Sequence, residues 1–301
     1  MRTPNLFVVG APKCGTTSMH NYLHQHPDVF MSSRKEPHYF GSDLKAPHPY
    51  FIRDWKEYIA LFSGATEQSF IGESSTWYML SRRDAQEIHG FCPDARIIMM
   101  LRNPVDQMYA LHSQRLYICN EDIVDFEETL LAEEDRRAGR RIPRDVNVVE
   151  GLYYREVATY SPQVERYLRL FPSKNVHVIL FDDLQADSPR TFRRVCQFLG
   201  IDDGFVPNLQ THNANKLVRH PRIYRWAKRP HPLLRSIVAF TIPRVAASHI
   251  RKSIVHRNVV IGRRPTMSEG LRRSLMAEFA PEVQRLERLI GRDLSNWTDK
   301  G

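Results

Sequence analysis

The sequence predicts an α/β fold in a single domain, with a parallel β-sheet flanked by helices on both faces. Three observations carry this expectation. Short apolar runs recur at Leu6–Val9, Phe70–Ile71, Ile97–Leu101 and Val176–Phe181, with the composition of strands buried on both sides. Amphipathic stretches long enough for crossover helices separate them, and that alternation implies parallel pairing. The first run leads straight into a turn bracketed by Gly10 and Gly15. With 301 residues, 42% of them apolar, the chain can bury one large core without a second domain.

The first element is the strand Leu6–Val9, joined through Gly10-Ala11-Pro12-Lys13-Cys14-Gly15 to a helix from Thr16 to about Gln25, which His26-Pro27 ends. Such a turn aims backbone N–H groups and the positive end of a helix dipole at one spot, making a phosphate cradle. Lys13 adds a mobile cation, and Thr16, Thr17 and Ser18 add hydroxyl donors. The glycine spacing is that of a phosphate-binding P-loop, so the sheet is of the P-loop type. In the ordinary Walker A loop, however, a lysine directly follows the second glycine. Here Thr16 holds that position and the lysine lies inside the loop, which argues against a Mg-nucleotide hydrolase or kinase. Cys14 reads as a small residue filling a tight turn, with a redox-sensitive thiol at a helix N-terminus as the other reading.

After the strand Ile97–Leu101 comes Arg102-Asn103-Pro104, then a helix from Pro104 to Tyr117. Ligands of a parallel sheet gather at the carboxyl ends of its strands, so Arg102 and the Lys13 loop are expected to share a crevice. An arginine there suits a phosphate through a bidentate fork. Residues Val124 to Val146 predict a charged helix followed by a mobile loop around Arg136–Arg144. Tyr153 to Leu170 has helical spacing, with Pro162 expected to break or kink it into two helices. Pro189 to Leu199 predicts a helix with Ser188 as its cap. Pro207 to Arg264 is cut by four prolines and receives no assignment. Met267 to Ile290 is helical with a split near Ala280-Pro281, after which Leu294 and Trp297 pack back on the body.

The net charge of +9 is uneven. From Gly204 to Ser268 there is no Asp or Glu but thirteen Lys and Arg, so the rest of the chain is slightly acidic. A block of this kind, residues 204–268, can serve nucleotide phosphates, an anionic acceptor, a membrane surface or nucleic acid, or be a solvated helical face. Without a known nucleic-acid motif or interleaved aromatics, nucleic acid is the weakest of these. Cys14, Cys92, Cys119 and Cys196 lie far apart, with no C-x-x-C pair, and read as free thiols of a reducing compartment. No leader or membrane-spanning segment is expected, and the reading is of a cytoplasmic protein.

The lysine-bearing loop and R-N-P after an apolar strand together resemble the 5′-phosphosulfate and 3′-phosphate motifs of sulfotransferases that use 3′-phosphoadenosine 5′-phosphosulfate (PAPS). The resemblance is nearer to the bacterial and heparan-sulfate-type members than to the small-molecule cytosolic ones. Lys35-Glu36-Pro37-His38-Tyr39-Phe40, Gly72-Glu73-Ser74-Ser75-Thr76-Trp77-Tyr78, Phe181-Asp182-Asp183-Leu184, Phe198-Leu199-Gly200 and the final helix with Gly291–Trp297 extend it over most of the chain, residues 204–264 matching poorly. The resemblance implies sulfuryl transfer to a hydroxyl or amine, with a carbohydrate as acceptor, whereas the acid-free block 204–268 with Leu233–Phe240 and Ile254–Ile261 suits a lipid or glycolipid headgroup and peripheral membrane contact; no nucleic acid is expected. Lys13 then neutralises the leaving phosphate, while Cys14, Gly15, Thr16, Thr17 and Ser18 line the donor site with Arg102. Glu36 is the expected base and His38 the runner-up; a Glu36 merely paired with Lys35, and a structural His38, are the bland readings. The scheme requires no metal. Another P-loop nucleotide enzyme, such as a small-molecule kinase, is the alternative.

Three positions depart from that family pattern. Ala110 stands where a serine usually binds the 3′-phosphate; Ser113, Lys216 and Arg219 are the expected substitutes. Ser74 replaces the lysine that heparan-type members carry after the glutamate, and Thr76 replaces a proline. The acceptor side is therefore expected to differ from a glycosaminoglycan site.

Overall fold

A computed structural model describes residues 2–47, 49–209, 216–218, 224, 258–262 and 265–298, with residues 216–218, 260 and 261 as backbone only. The chain separates into two compact units, one of residues 1–108, 154–212 and 269–301, the other of residues 109–153 and 213–268.

The first unit holds a five-stranded, all-parallel sheet made of β1 (Leu6–Gly10), β2 (Val29–Met31), β3 (Phe70–Ser74), β4 (Arg96–Leu101) and β5 (Val176–Leu180), in the order β2-β3-β1-β4-β5. From β1 the chain lays β2 at one edge, fills β3 in between, and then crosses to the other side of β1 for β4 and β5. The connections therefore leave the neighbouring strands β1 and β4 in opposite directions, and the topological switch lies between them. Every residue of β1 is buried, as a strand covered on both faces requires. Beside it, Leu6 pairs with Gly72 and Val8 with Ser74. Towards β4 the register shifts between Val8 and Gly10, where the chain leaves the sheet for the glycine turn.

Helix α1 (Thr16–Gln25) follows that turn and ends where His26 takes an extended conformation before Pro27. Helices α2 (Trp55–Ala60) and α3 (Asp84–Phe91) of this unit fall between its strands in sequence, and α4 (Pro104–Tyr117) begins in it and continues into the second unit. Asn103 caps α4 by accepting from the N–H of Val105 at 3.0 Å, and Pro104 opens it. Thus two of the three R-N-P residues shape the strand-to-helix turn, leaving Arg102 for other work.

In the second unit, α5 (Phe126–Leu131) and α6 (Glu133–Arg137) stand where a helix and mobile loop are predicted. Arg136 does not belong to a loop: it is buried and pairs with buried Glu121 at 2.7 Å. Burial pushes the Glu121 carboxyl up, but Arg136 outweighs it and holds it below its ordinary value. The same unit pairs the short antiparallel strands β6 (Lys216–Val218) and β7 (Val259–Ile261).

The first unit continues with α7 (Tyr154–Ala158) and α8 (Ser161–Leu170). The predicted division into two helices is present, but it falls at Thr159-Tyr160, and Pro162 sits in the first turn of α8, where a missing N–H costs nothing. Phe181 opens α9 (Phe181–Ala186) instead of ending β5. For α10 (Ser188–Leu199) the cap is Asp187, which accepts from the N–H of Arg190 at 2.9 Å, while the Ser188 hydroxyl donates to the Leu184 carbonyl. The last helix, α11 (Glu269–Ile290), passes unbroken through Pro281. Its buried stripe Leu275, Phe279, Val283 and Leu286 runs on both sides of the proline, so packing outweighs the lost hydrogen bond. Leu294 and Trp297 are buried as expected. Asn103 donates to the Trp297 carbonyl at 3.1 Å and the Trp297 indole donates to Asp182 at 2.6 Å, tying the terminal segment to the Arg102 turn. No described helix is long and apolar enough to cross a membrane.

Candidate active site

The carboxyl ends of β1, β3 and β4 carry the residues singled out by sequence. At the end of β1 Gly10 adopts a φ of 144°, and in the loop beyond it Lys13 and Gly15 take φ of 69° and 91°. A Cβ on Gly10 would lie 2.9 Å from the Thr76 carbonyl oxygen, so only glycine lets the loop leave the sheet against the segment after β3. Gly10→Ala is accordingly expected to destabilise the fold by about 1–3 kcal/mol, measured as a lower melting temperature. The loop is anchored from β4 and α4: the Ala11 N–H donates to the Met100 carbonyl at 2.7 Å, and buried Gln107 donates to the Pro12 carbonyl at 3.1 Å.

No side chain caps α1, and no acidic residue occupies its first turn. The positive end of that helix therefore meets Lys13, Thr16, Thr17 and Ser18, with no acidic residue in the helix's own first turn to offset it. Arg102 reaches the same loop, its Nη1 lying 3.5 Å from the Lys13 carbonyl oxygen while its guanidinium lies 4.6 Å from the centre of the Phe181 ring. Cys14 is buried, with Sγ 3.9 Å from the Tyr160 hydroxyl. Burial pushes its thiol up to about 12, against the opposing pull of Arg102, Tyr160 and Lys13. It is a filler of the turn and not a reactive thiolate.

The Lys35–Phe40 segment lies against the end of β3, with the Glu36 N–H donating to the Ser74 carbonyl at 2.9 Å. Glu36 and His38 both have positive φ, 61° and 52°, each costing about 1–2 kcal/mol for a residue with a Cβ. Lys35 Nζ donates to Glu36 Oε1 at 2.6 Å, and His38 Nε2 lies 3.7 Å from Glu36 Oε2. Burial raises the Glu36 carboxyl, but Lys35 and His38 more than offset this and hold it below its ordinary value. Burial likewise lowers His38, against the raising effect of Glu36. The Glu36 side chain is 35% exposed and that of His38 1%, so the carboxylate is the group a ligand can touch.

His20 was not indicated by the sequence. It lies one turn after Thr16 on α1, buried, with Nδ1 3.0 Å from the Ser74 hydroxyl. Its i, i+4 relation to Thr16 is the one signal that could have marked it. Burial lowers its pKa to about 3, with Lys35 adding to the effect. The folded chain thus binds fewer protons than the unfolded chain between the ordinary value of 6.5 and about 3, and stability falls as pH falls through that window. His20→Gln is expected to show a smaller drop in melting temperature between pH 7 and pH 5 than the unaltered protein.

The remaining predicted residues are not brought to this loop by any described contact. The Ser113 hydroxyl donates to the Tyr109 carbonyl of its own helix at 3.2 Å. The side chain of Lys216, all of Arg219 and most of the 204–268 block lie outside the described residues. Ala110 is buried. Among the described residues no group of three or more His, Cys, Asp and Glu could hold a metal ion.

The sulfotransferase domain family matches residues 3–221. This chain belongs to that family. It is 32% identical to a solved sulfotransferase from Alicyclobacillus acidocaldarius, with a TM-score of 0.74 over 99% of this chain and 100% of the other. Human carbohydrate sulfotransferase 15 is 27% identical over 255 residues, covering 66% of this chain and 44% of that protein. Human heparan sulfate glucosamine 3-O-sulfotransferase 6 is 22% identical over 97% of this chain and 73% of its own length. The chain thus spans less than half the length of the first of these human relatives. Family membership agrees with the five-stranded parallel sheet.

Proposed function

We propose that this sulfotransferase moves the sulfuryl group of PAPS to an acceptor hydroxyl of a carbohydrate or glycolipid. One observation carries the reading: Lys13, Glu36 and Arg102 stand at the carboxyl ends of the neighbouring strands β1, β3 and β4, with Arg102 in reach of the Lys13 backbone. The donor set of the loop suits a phosphate, being an uncapped helix N-terminus with a lysine and three hydroxyls. Lys13 and the N–H groups of Gly15 to Thr17 offset charge on the leaving 5′-phosphate, and Arg102 takes the 3′-phosphate.

In the transfer, the sulfur–oxygen bond to the phosphate breaks as a bond to the acceptor oxygen forms, and Glu36 takes the acceptor's proton. Glu36 is ionised at neutral pH and so free to accept that proton, while Lys35 and His38, which outweigh burial and hold it below its ordinary value, make it a weaker base until a bound acceptor displaces water and hydrogen-bonds to it. The relatives named for carbohydrate acceptors support a sugar hydroxyl. Ser74 and Thr76 support a sugar outside the glycosaminoglycans, and the acid-free 204–268 block supports an anionic or membrane-borne one.

The test is to incubate the protein with PAPS carrying labelled sulfur and a panel of oligosaccharides and glycolipids, and to identify labelled products by mass spectrometry. Calorimetry with the desulfated product, 3′-phosphoadenosine 5′-phosphate, runs alongside. Heat of binding and a sulfated sugar are expected. No binding and no labelled product would sink the proposal.

A further inference from the structure

We propose that Glu73 is a positioning residue, an interior carboxylate that holds the Glu36-bearing turn in its working shape. The inference rests on the reading of Glu36 as the base. Glu73 is fully buried near the end of β3 and touches no place an acceptor can reach. Its Oε1 accepts from the hydroxyls of Tyr58 at 2.9 Å and Tyr78 at 2.6 Å, and its Oε2 accepts from Ser75 at 2.6 Å. All three donors are buried as well.

Two of these hydroxyls face outward to the backbone of the turn. Ser75 Oγ accepts from the His38 N–H at 3.0 Å, and Tyr78 OH accepts from the Phe40 N–H at 3.2 Å. Because each hydroxyl has a single proton and spends it on Glu73, its lone pairs are turned towards the turn's N–H groups. In its ionised form the carboxylate accepts from all three and so sets the direction of every hydroxyl. Burial pushes it up to about 7, against the pull of Ser75, Tyr78 and Tyr58, and the protonated acid gives up part of that hold. Glu36 and His38 adopt left-handed backbone conformations, which persist only when their surroundings over-determine them. The other side of the segment is held independently: Arg53 donates to the carbonyls of Tyr39, Phe40, Gly41 and Leu44 at 2.6 to 2.8 Å. Glu73 supplies the inner hold, on the residues that flank the base.

Tyr58 separates positioning from mere packing. Its hydroxyl reaches Glu73 but none of the turn's backbone, and its ring stacks on Tyr39 at 4.2 Å. The experiment compares Ser75→Ala, Tyr78→Phe, Tyr58→Phe and Glu73→Gln in kcat, acceptor KM, affinity for 3′-phosphoadenosine 5′-phosphate and melting temperature. Ser75→Ala and Glu73→Gln are expected to lose about tenfold in kcat, with nucleotide affinity and KM within about twofold. Tyr78→Phe falls in the same direction, and Tyr58→Phe loses less kcat than either link variant at a similar fall in melting temperature. Should Glu73→Gln fail to fold, the comparison of Ser75→Ala with Tyr58→Phe decides. Unchanged kcat in Ser75→Ala, or losses in all variants that simply follow melting temperature, overturns the proposal. An inactive unaltered protein, or full turnover in Glu36→Gln, overturns the parent reading and this one with it.

Discussion

Glu36→Gln is expected to cut kcat by ~10²-fold or more, the usual loss when a general base is removed, while leaving nucleotide affinity nearly unchanged. The carboxylate stands on a turn held by β3 and is the exposed partner of a pair whose histidine is buried, so nothing described beside it replaces its access to an acceptor. Because Lys35 and His38 outweigh burial and keep Glu36 below its ordinary value of 4.5, the base stays ionised down through neutral and mildly acid pH. Any acid limb of kcat/KM that belongs to Glu36 therefore lies below about pH 4.5. A pH–rate profile checks this, and Glu36→Gln should abolish that limb. Near-normal turnover in the variant would move the role to His38.

Lys13→Ala is expected to lose ~10²-fold or more in kcat as well, in line with removal of a group aimed at developing charge, and also to weaken nucleotide binding. The two variants thus part company in calorimetry: removing Lys13 takes a cation from the donor side, and removing the Glu36 charge does not. Lys13 lies inside the loop, between Gly10 and Gly15, and takes a left-handed φ there. Single-turnover measurements at saturating donor would separate the chemical loss from the binding loss.

Much of the site was readable because it is local. The strand, turn and helix from Leu6 to Gln25 form one continuous piece of chain, so the glycine spacing and the displaced lysine can be recognised without any tertiary contact. The same holds for Arg102-Asn103-Pro104, where one arginine leaves a strand and the next two residues build a cap. Other features escaped for physical reasons. Strand β2 has three residues, too few to show a period. Pro281 signals a break, but burial on both sides of it carries α11 through. Arg136 sits among charges that read as a mobile loop, and only its buried partner Glu121, fifteen residues earlier, places it inside. Asp187 and Ser188 are both good caps, and backbone geometry chose the aspartate.

The amino-acid sequence alone determined the class of fold and the course of the glycine-bracketed turn that carries Lys13 from strand to helix, because these depend on neighbours within one turn or one strand. Tertiary structure alone decided that His20 faces Ser74 and that Glu73 accepts from three hydroxyls beneath the Glu36 turn. Those pairings join residues on separate strands and helices. Their directions follow from how a parallel sheet gathers its carboxyl ends at one edge, which no local pattern of residue types records.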